Sequence, residues 1–145
     1  MRFWDSSAIV PLMLAEGQTP RMREALAADE EMIVWWGTFV ECSAAIARRE
    51  RTGELSAVSA DQARLALRLF QTSWSEVEAS DDLRDHATAL VRRHSLRSAD
   101  AFQLGAALAW AHGRPRDHVI CTLDGRLTEA ARREGFRIEP RSDAG

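Results

Sequence analysis

The chain has 145 residues, of which 46% are hydrophobic and 28% are charged, and this composition is typical of one globular domain. All 19 basic residues are Arg, because the sequence contains no Lys, and with 22 acidic residues the net charge is -3. The missing Lys excludes P-loop NTPases, Schiff-base enzymes and PLP enzymes, since each needs an ammonium group. We therefore expect a single domain over residues 1–145 whose chemistry relies on other side chains.

The two cysteines and the apolar segments predict the compartment. Cys42 and Cys121 are far apart in apolar surroundings, which favours buried free thiols over a disulfide or a zinc site. The N-terminus reaches a carboxylate at Asp5, too early for a signal peptide. No apolar segment approaches the roughly 20 residues that cross a bilayer. We expect a cytoplasmic protein with no membrane contact.

Short apolar segments alternate with amphipathic ones along the chain. The predicted strands are Arg2–Trp4, Met32–Trp36, Trp74–Ala79, His118–Leu123 and Phe136–Glu139. The predicted helices are Ser6–Ala15, Gln18–Ala28, Thr38–Arg51, Ser59–Ser73, Asp82–His94, Ser98–His112 and Gly125–Glu134. In the helix that begins at Ser59, the spacing of Leu65, Leu69 and Phe70 predicts the buried face.

This alternation predicts the fold class. Strands separated by helices cannot form hairpins, so they pair in parallel through right-handed crossovers, with helices on both faces of the sheet. The expected architecture is a three-layer α/β/α sandwich with a mostly parallel central sheet. Such sheets place their functional sites beyond the carboxyl ends of the strands, where the strand order reverses.

Four acidic residues lie near predicted helix starts. Asp5 and Asp124 directly follow predicted strands. Glu41 lies one turn into the helix after the second strand, and Asp100 lies in the first turn of the helix that begins at Ser98. Because the carboxyl ends of parallel strands share one edge of a sheet, we expect the four carboxylates to converge there.

Each acid also has a purely structural interpretation. Thr38 and Glu41 match a capping box, in which the acid accepts from the Thr38 amide. Asp100 would interact favourably with the helix dipole behind a Ser98 cap, and the other two acids would be N-cap residues. Capping and metal binding are compatible, since an acid at a helix start can do both. Four acids at one edge favour a shared site.

Electrostatics indicate what such a cluster needs. Two carboxylates 4 Å apart repel by about 4 kcal/mol at an effective dielectric near 20, so four ionised groups require a cation or protons. Oxygen ligands without His or Cys favour Mg²⁺ or Mn²⁺ over zinc. Ions held in this way assist phosphodiester hydrolysis.

Four segments around these acids resemble PIN domains, and most closely the VapC-type ribonuclease toxins of bacterial type II toxin–antitoxin pairs. They are Phe3–Ala8, Thr38–Cys42, Leu96–Leu104 and Ile120–Asp124, in the family's order. Ala130-Ala131 and Gly135-Phe136 also follow the family's closing pattern. The resemblance spans essentially the whole chain.

The resemblance implies a PIN-like fold and metal-dependent endonucleolytic cleavage of RNA. It places the acidic quartet around Mg²⁺ or Mn²⁺. Asp5 and Asp100 would be direct metal ligands, and Glu41 and Asp124 would bind directly or through water. A non-catalytic PIN-like module that binds RNA or protein remains the alternative. A hydrolase that uses Asp5 as a phosphate-accepting nucleophile fits poorly, because that pattern needs a second acid at the position of Ser7 and a Lys.

Supporting residues and partners also come from the resemblance. Ser6 and Thr122 would orient the carboxylates or the scissile phosphate through their hydroxyls. A homodimer is expected, together with a small VapB-like antitoxin whose tail covers the acidic pocket. The apolar side chains of Met13, Leu14 and Met22 would be available for such contacts.

Basic residues cluster on three predicted helices, and Arg48, Arg49 and Arg51 form the first cluster. A solvated helix face explains them most simply, and binding of RNA phosphates is an equally open interpretation.

Overall fold

The computed structural model describes residues 1–141 of the chain. Its strands are β1 (Arg2–Trp4), β2 (Met32–Trp35), β3 (Ser75–Val77), β4 (Val119–Cys121) and β5 (Arg137–Glu139). Its helices are α1 (Ser6–Met13), α2 (Thr19–Ala28), α3 (Thr38–Arg51), α4 (Ala57–Ser73), α5 (Asp81–Arg93), α6 (Ser98–Trp110) and α7 (Gly125–Glu134), with a short 3-10 helix at Pro115–Asp117.

The five strands form one sheet in the order β3-β2-β1-β4-β5. Every neighbouring pair is parallel, and Phe3 of the central strand lies beside Ile33 of β2 and Ile120 of β4. The predicted three-layer α/β/α architecture is therefore confirmed. The predicted boundaries err mainly by overextending short strands, as at Trp74–Ala79, where only Ser75–Val77 pairs.

Helices cover both faces of the sheet because successive strand residues point to opposite sides. Trp4, Val34 and Cys121 pack into one core with residues of α1 to α4. Phe3, Ile33 and Ile120 pack into the other core with residues of α5, α6 and α7. Short strands buried on both faces explain why their sequences are apolar runs without polar alternation.

Helix α6 packs very closely against α5, and Gly105 makes this approach possible. A Cβ at Gly105 would lie 3.2 Å from both the Leu83 carbonyl oxygen and the Ala87 amide nitrogen, tighter than ordinary contact. The close fit fixes α6 against its neighbour. It thereby sets the position of the helix start that carries Asp100.

The predicted buried face of α4 is wrong at Leu65 and Leu69, whereas Phe70 is partly buried against the core as expected. Leu65 and Leu69 are 59% and 63% exposed, whereas Ala60, Ala63 and Leu67 are buried. The helix carries two apolar stripes, and the one with small residues fits against the core containing α1 and α3. Close helix packing selects small side chains here over large ones.

The apolar residues expected to contact a partner are also largely wrong. Leu14 and Met22 are buried in the core of the chain itself, and only Met13 is partly exposed. Among residues 1–141, no helix has the length and apolar character needed to span a membrane.

Candidate active site

The strand order reverses at the centre of the sheet, between β1 and β4. β1 is followed along the chain by β2 on one side, while β4 and β5 extend the sheet on the other side. Asp5 comes directly after β1, and Asp124 lies three residues after the end of β4. A cavity of about 630 Å³ opens at this edge, and all four predicted acids line it: Asp5, Glu41, Asp100 and Asp124.

Asp5 is anchored through one of its two carboxylate oxygens. It is the N-cap residue of α1 and is only 4% exposed. Its Oδ2 accepts hydrogen bonds from Ser7 Oγ at 2.5 Å, from Thr122 Oγ1 at 2.9 Å and from the Ser7 amide at 3.3 Å. Its Oδ1 has only a 3.4 Å contact with Ser6 Oγ. Oδ1 is therefore the oxygen left for a ligand in the cavity.

The two hydroxyls on Asp5 tie the ends of β1 and β4 together. Ser7 Oγ accepts from the Leu123 amide at 2.9 Å, and Thr122 Oγ1 accepts from the Asp124 amide at 3.1 Å. Asp124 then caps α7, because its Oδ1 accepts from the Leu127 amide at 2.8 Å. Each hydroxyl accepts one hydrogen bond from an amide and donates one to Asp5, and these bonds fix the orientations of both hydroxyls.

Glu41 is held by a glutamine from another helix. The side-chain nitrogen of Gln103 donates to Glu41 Oε2 at 2.6 Å and to Thr38 Oγ1 at 3.0 Å. Gln103 and Thr38 are both buried, and Gln103 Oε1 has no hydrogen-bond partner within the part of the chain that the structure describes. This contact joins α3 to α6 and places Glu41 on the same cavity wall as Asp100.

Asp100 has an oxygen without a donor. Among residues 1–141 its buried Oδ2 has no hydrogen-bond partner, and Arg97 Nε lies 3.7 Å away, beyond hydrogen-bond distance. A buried carboxylate oxygen in this state loses its water without compensation, which costs free energy unless a ligand replaces the water.

Burial raises the pKa of three of the four acids. Desolvation is the main cause for Asp5, Glu41 and Asp100, and it raises the pKa of Glu41 to about 7. The carboxylates also act on one another. The charge of Asp124 raises the pKa of Asp5 and of Asp100, and the charges of Asp5 and Asp100 raise that of Glu41. These carboxylates are shielded from water and repel one another, so a bound cation or bound protons stabilise them.

The donor chemistry of the cavity fits a hard divalent cation. Within residues 1–141, no three His, Cys, Asp or Glu side chains are grouped closely enough to form a metal site by themselves. Mg²⁺ is commonly held by one or two carboxylates and keeps several waters. Asp5 Oδ1 has only the 3.4 Å contact with Ser6, and Asp100 Oδ2 has no hydrogen-bond partner among residues 1–141, so these two oxygens could hold such an ion.

The structural interpretations of the acids divide into two pairs. Asp5 and Asp124 are N-caps, as expected. The capping box at Thr38 is wrong, because Gly37 precedes α3 without a side-chain cap bond and both polar groups bond to Gln103 instead. The Ser98 cap is also wrong, since Arg97 is the N-cap residue of α6 and makes no side-chain cap bond.

Two residues of the site were missed from the sequence. The first is Ser7, whose hydroxyl, two residues after the N-cap acid Asp5, is well placed to donate to the Asp5 carboxylate. Gln103 lies three residues after Asp100 in an apolar helical segment. In the sequence, Gln103 is a single amide on an otherwise apolar helix face, and this pattern predicts a polar partner because buried polar groups need one.

Comparisons with known proteins identify the family and the fold. The model of the PIN domain family matches residues 2–133. Ribonuclease VapC49 of Mycobacterium tuberculosis is 29% identical over 138 residues, which cover 95% of this chain and 94% of that protein.

Solved structures share the same fold. The M. tuberculosis toxin VapC20, described as cleaving the sarcin-ricin loop, has a TM-score of 0.64 at 18% identity and covers 90% of this chain and 95% of its own. The FitAcB structure from Neisseria gonorrhoeae has a TM-score of 0.61 at 14% identity, with 95% and 96% covered. The resemblance seen in the four sequence segments is confirmed, and the chain belongs to the PIN domain family.

Proposed function

We propose that this chain is a Mg²⁺- or Mn²⁺-dependent endoribonuclease that acts as the toxin of a toxin–antitoxin pair. The observation that carries the proposal is the cavity at the reversal of strand order, which four carboxylates line and where burial raises the pKa of three of them. The family and the name of the ribonuclease relative support RNA as the substrate.

In this proposal the four acids have different roles. Asp5 and Asp100 hold the ion directly, and Glu41 and Asp124 contribute directly or through water. When bound, the ion supplies positive charge that favours attack on phosphorus and stabilises the charge that develops there. Glu41, whose pKa is raised to about 7, takes up a proton at Oε1, because Oε2 is occupied by Gln103.

The hydroxyls have two roles in the same proposal. Thr122 and Ser7 are committed to Asp5 Oδ2 and hold that carboxylate in one orientation. Ser6 has only a weak 3.4 Å contact with Asp5 Oδ1, so its hydroxyl is free to donate to an oxygen of the scissile phosphate. Ser6 and Thr122 therefore remain supporting residues.

A homodimer and a VapB-like antitoxin complete the proposal, which places the protein in the cytoplasm. One solved structure of similar fold is a toxin–antitoxin complex from Klebsiella pneumoniae. The exposed apolar side chains of Val58, Leu65 and Leu69 on α4 replace the buried residues first expected to meet a partner. Light scattering at tens of micromolar tests the dimer, and a monomer would contradict it.

The activity itself is tested with total cellular RNA and the purified protein in Mg²⁺ or Mn²⁺. We expect discrete fragments that EDTA abolishes. Asp5→Asn and Asp100→Asn should each lower the cleavage rate by about 100-fold or more, because each removes a charge that positions the ion and the attacking water. Asp85→Asn, which removes an exposed acid on α5 outside the cavity, is the matched control.

The opposite result would favour another function. If wild type and variants are equally inert and calorimetry detects no Mn²⁺ binding, the acids are structural. The chain would then be a non-catalytic PIN-like module that binds RNA or protein.

A further inference from the structure

Helix α3 lines the cavity with basic as well as acidic side chains. Glu41 faces the cavity from the start of α3, and Arg48 and Arg49 line the same cavity two turns further along the helix. Ala44 and Ala45 lie between them, so small side chains leave the helix surface open. The spacing of three to four residues places all of these groups on one helical face.

The two arginines differ in what they bind. Arg49 is paired, because its guanidinium lies 2.8 Å from Glu16 Oε1 and also donates to the Ala45 carbonyl at 3.3 Å. Arg48 is exposed, and within the described part of the chain its guanidinium makes no hydrogen bond or ion pair. The connection between α1 and α2 thus supplies an internal carboxylate to one arginine and leaves the other open.

We propose that Arg48 and Arg49 bind backbone phosphates of the RNA strand next to the phosphodiester held at the acids, and that Glu16 competes with RNA for Arg49. This inference rests on the proposed ribonuclease function. It assigns to the wall of α3 a phosphate-binding subsite that sets the path of the substrate strand across the cavity.

Geometry supports a strand lying along α3. Seven residues separate Glu41 from Arg48, which is about 10 Å along a helix that rises 1.5 Å per residue. Phosphates of a stacked strand follow one another about every 3.4 Å along the axis, and those of an extended strand are farther apart. Arg48 therefore reaches a phosphate about two or three nucleotides from the one at the acids.

Charge supports the same assignment. A chain with a net charge of -3 and four acids in its cavity repels a polyanion, so attraction must come from local cations. Arginine is suited to this task because its planar guanidinium binds phosphate oxygens in pairs. Arg97, whose Nε lies 3.7 Å from Asp100, is also exposed and lines the same cavity, so it adds a third basic group beside the acids.

The test measures RNA binding and steady-state kinetics together. Binding of a fluorescein-labelled single-stranded RNA is followed by anisotropy in the Asp5→Asn background, where cleavage is suppressed. Arg48→Ala should weaken binding about 10-fold for RNAs of different sequence. It should also reduce the slope of log affinity against log salt by about 0.7. In the otherwise wild-type protein it should raise KM and leave kcat within about twofold.

Arg51→Ala is the matched control. Arg51 is an exposed arginine at the end of the same helix and does not line the cavity, so its loss should change affinity and KM by less than about twofold. Glu16→Gln should act in the opposite direction to Arg48→Ala and tighten RNA binding several-fold, because it frees Arg49 and removes a competing charge.

The failures are distinguishable. If wild type cuts no RNA in Mn²⁺ and binds none, the proposed function itself is wrong. If wild type cuts RNA but Arg48→Ala and Arg51→Ala have equal affinity, salt slope and KM, only the subsite on α3 is wrong. Unchanged or weaker RNA binding by Glu16→Gln would overturn the competition between Glu16 and phosphate.

Discussion

Two pairs of acids face the same cavity but are held in different ways. Asp5 and Asp124 lie at the strand ends, whereas Glu41 on α3 and Asp100 on α6 form the helical wall. Asp5 accepts three hydrogen bonds at one oxygen, and Asp124 caps α7. On the wall, Glu41 depends on one donor from Gln103, and Asp100 Oδ2 has none. The strand ends form a closed hydrogen-bond network, whereas the wall keeps unsatisfied oxygens.

The difference follows from what positions each pair. At the strand ends, Asp5 and Asp124 accept from amides of the helices that they cap, and Thr122 reaches Asp5 from the end of the neighbouring strand β4, so cap geometry and strand pairing position the donors. On the wall the donor comes from a different helix, since Gln103 and Glu41 are 62 residues apart in sequence. The strand-end network joins the paired strands β1 and β4, while the wall depends on one side-chain contact between α3 and α6. We expect the first to orient a ligand and the second to exchange protons.

The largest effect outside the acids is expected from Thr122→Val. The substitution keeps the shape of the side chain but removes a hydroxyl donor to Asp5 Oδ2, and this donor lowers the pKa of that carboxyl. Activity should fall about 10- to 100-fold, as is usual when a group that orients a metal ligand is lost. The measurement is kcat/KM for RNA cleavage in Mn²⁺.

Thr88→Val is the control for Thr122→Val. Thr88 is an exposed threonine whose hydroxyl donates to a helix carbonyl on α5, far from the acids in sequence and absent from the cavity wall. Its substitution should leave activity unchanged. If Thr122→Val is equally active and equally stable, the strand-end network does not orient Asp5, and the contrast between the two pairs fails.

The same contrast explains what could be predicted from the sequence. Asp5 and Asp124 directly follow predicted apolar strands, so the strand pattern alone placed them at one edge of a parallel sheet and as helix caps. Sheet class and most helix boundaries came from the same periodicities, and the four motif segments were sufficient to identify the family.

Features that depend on tertiary packing could not be predicted in this way. Thr38 and Glu41 have capping-box spacing, but both bind the buried side-chain amide of Gln103 from α6 instead. In α4 two apolar stripes are compatible with the sequence. Only the close approach of the neighbouring helices selects the stripe with Ala60 and Ala63 over that with Leu65.

A smaller effect, with a characteristic pH dependence, is expected from Gln103→Leu. The amide of Gln103 lowers the pKa of Glu41, which burial raises to about 7, so its removal should raise that pKa further. More Glu41 is then protonated near neutral pH. We expect activity at about pH 7 to fall roughly 10-fold and to recover as the pH rises, which a pH–rate profile measures.

Gln71→Leu, on the exposed part of α4, is the matched control and should keep the wild-type profile. A Gln103→Leu profile that loses amplitude at every pH without moving its acidic limb would mean that Gln103 only supports packing. In that case the wall would not exchange protons through Glu41.

The smallest effect is a pH-dependent change in thermal stability. The folded chain raises the pKa of Asp5, Glu41 and Asp100 above their unfolded values, so it binds protons that the unfolded chain has released. Their contribution to stability is therefore fully present below the unfolded pKa values of about 4 and is lost as the pH rises, for Glu41 through about 7. A bound cation replaces these protons. Mn²⁺ should thus raise the melting temperature by a few degrees, and by more near pH 8 than near pH 6.

Differential scanning fluorimetry with and without Mn²⁺ measures this shift, and Glu41→Gln separates the two pairs of acids. Because Gln cannot titrate, this variant should lose the part of the pH dependence that lies near 7 and keep a smaller Mn²⁺ shift from the anchored Asp5 and from Asp100. A Mn²⁺ shift that is equal at both pH values in wild type would contradict the exchange of protons for metal. It would mean that Asp5, Glu41 and Asp100 are already ionised before the ion binds.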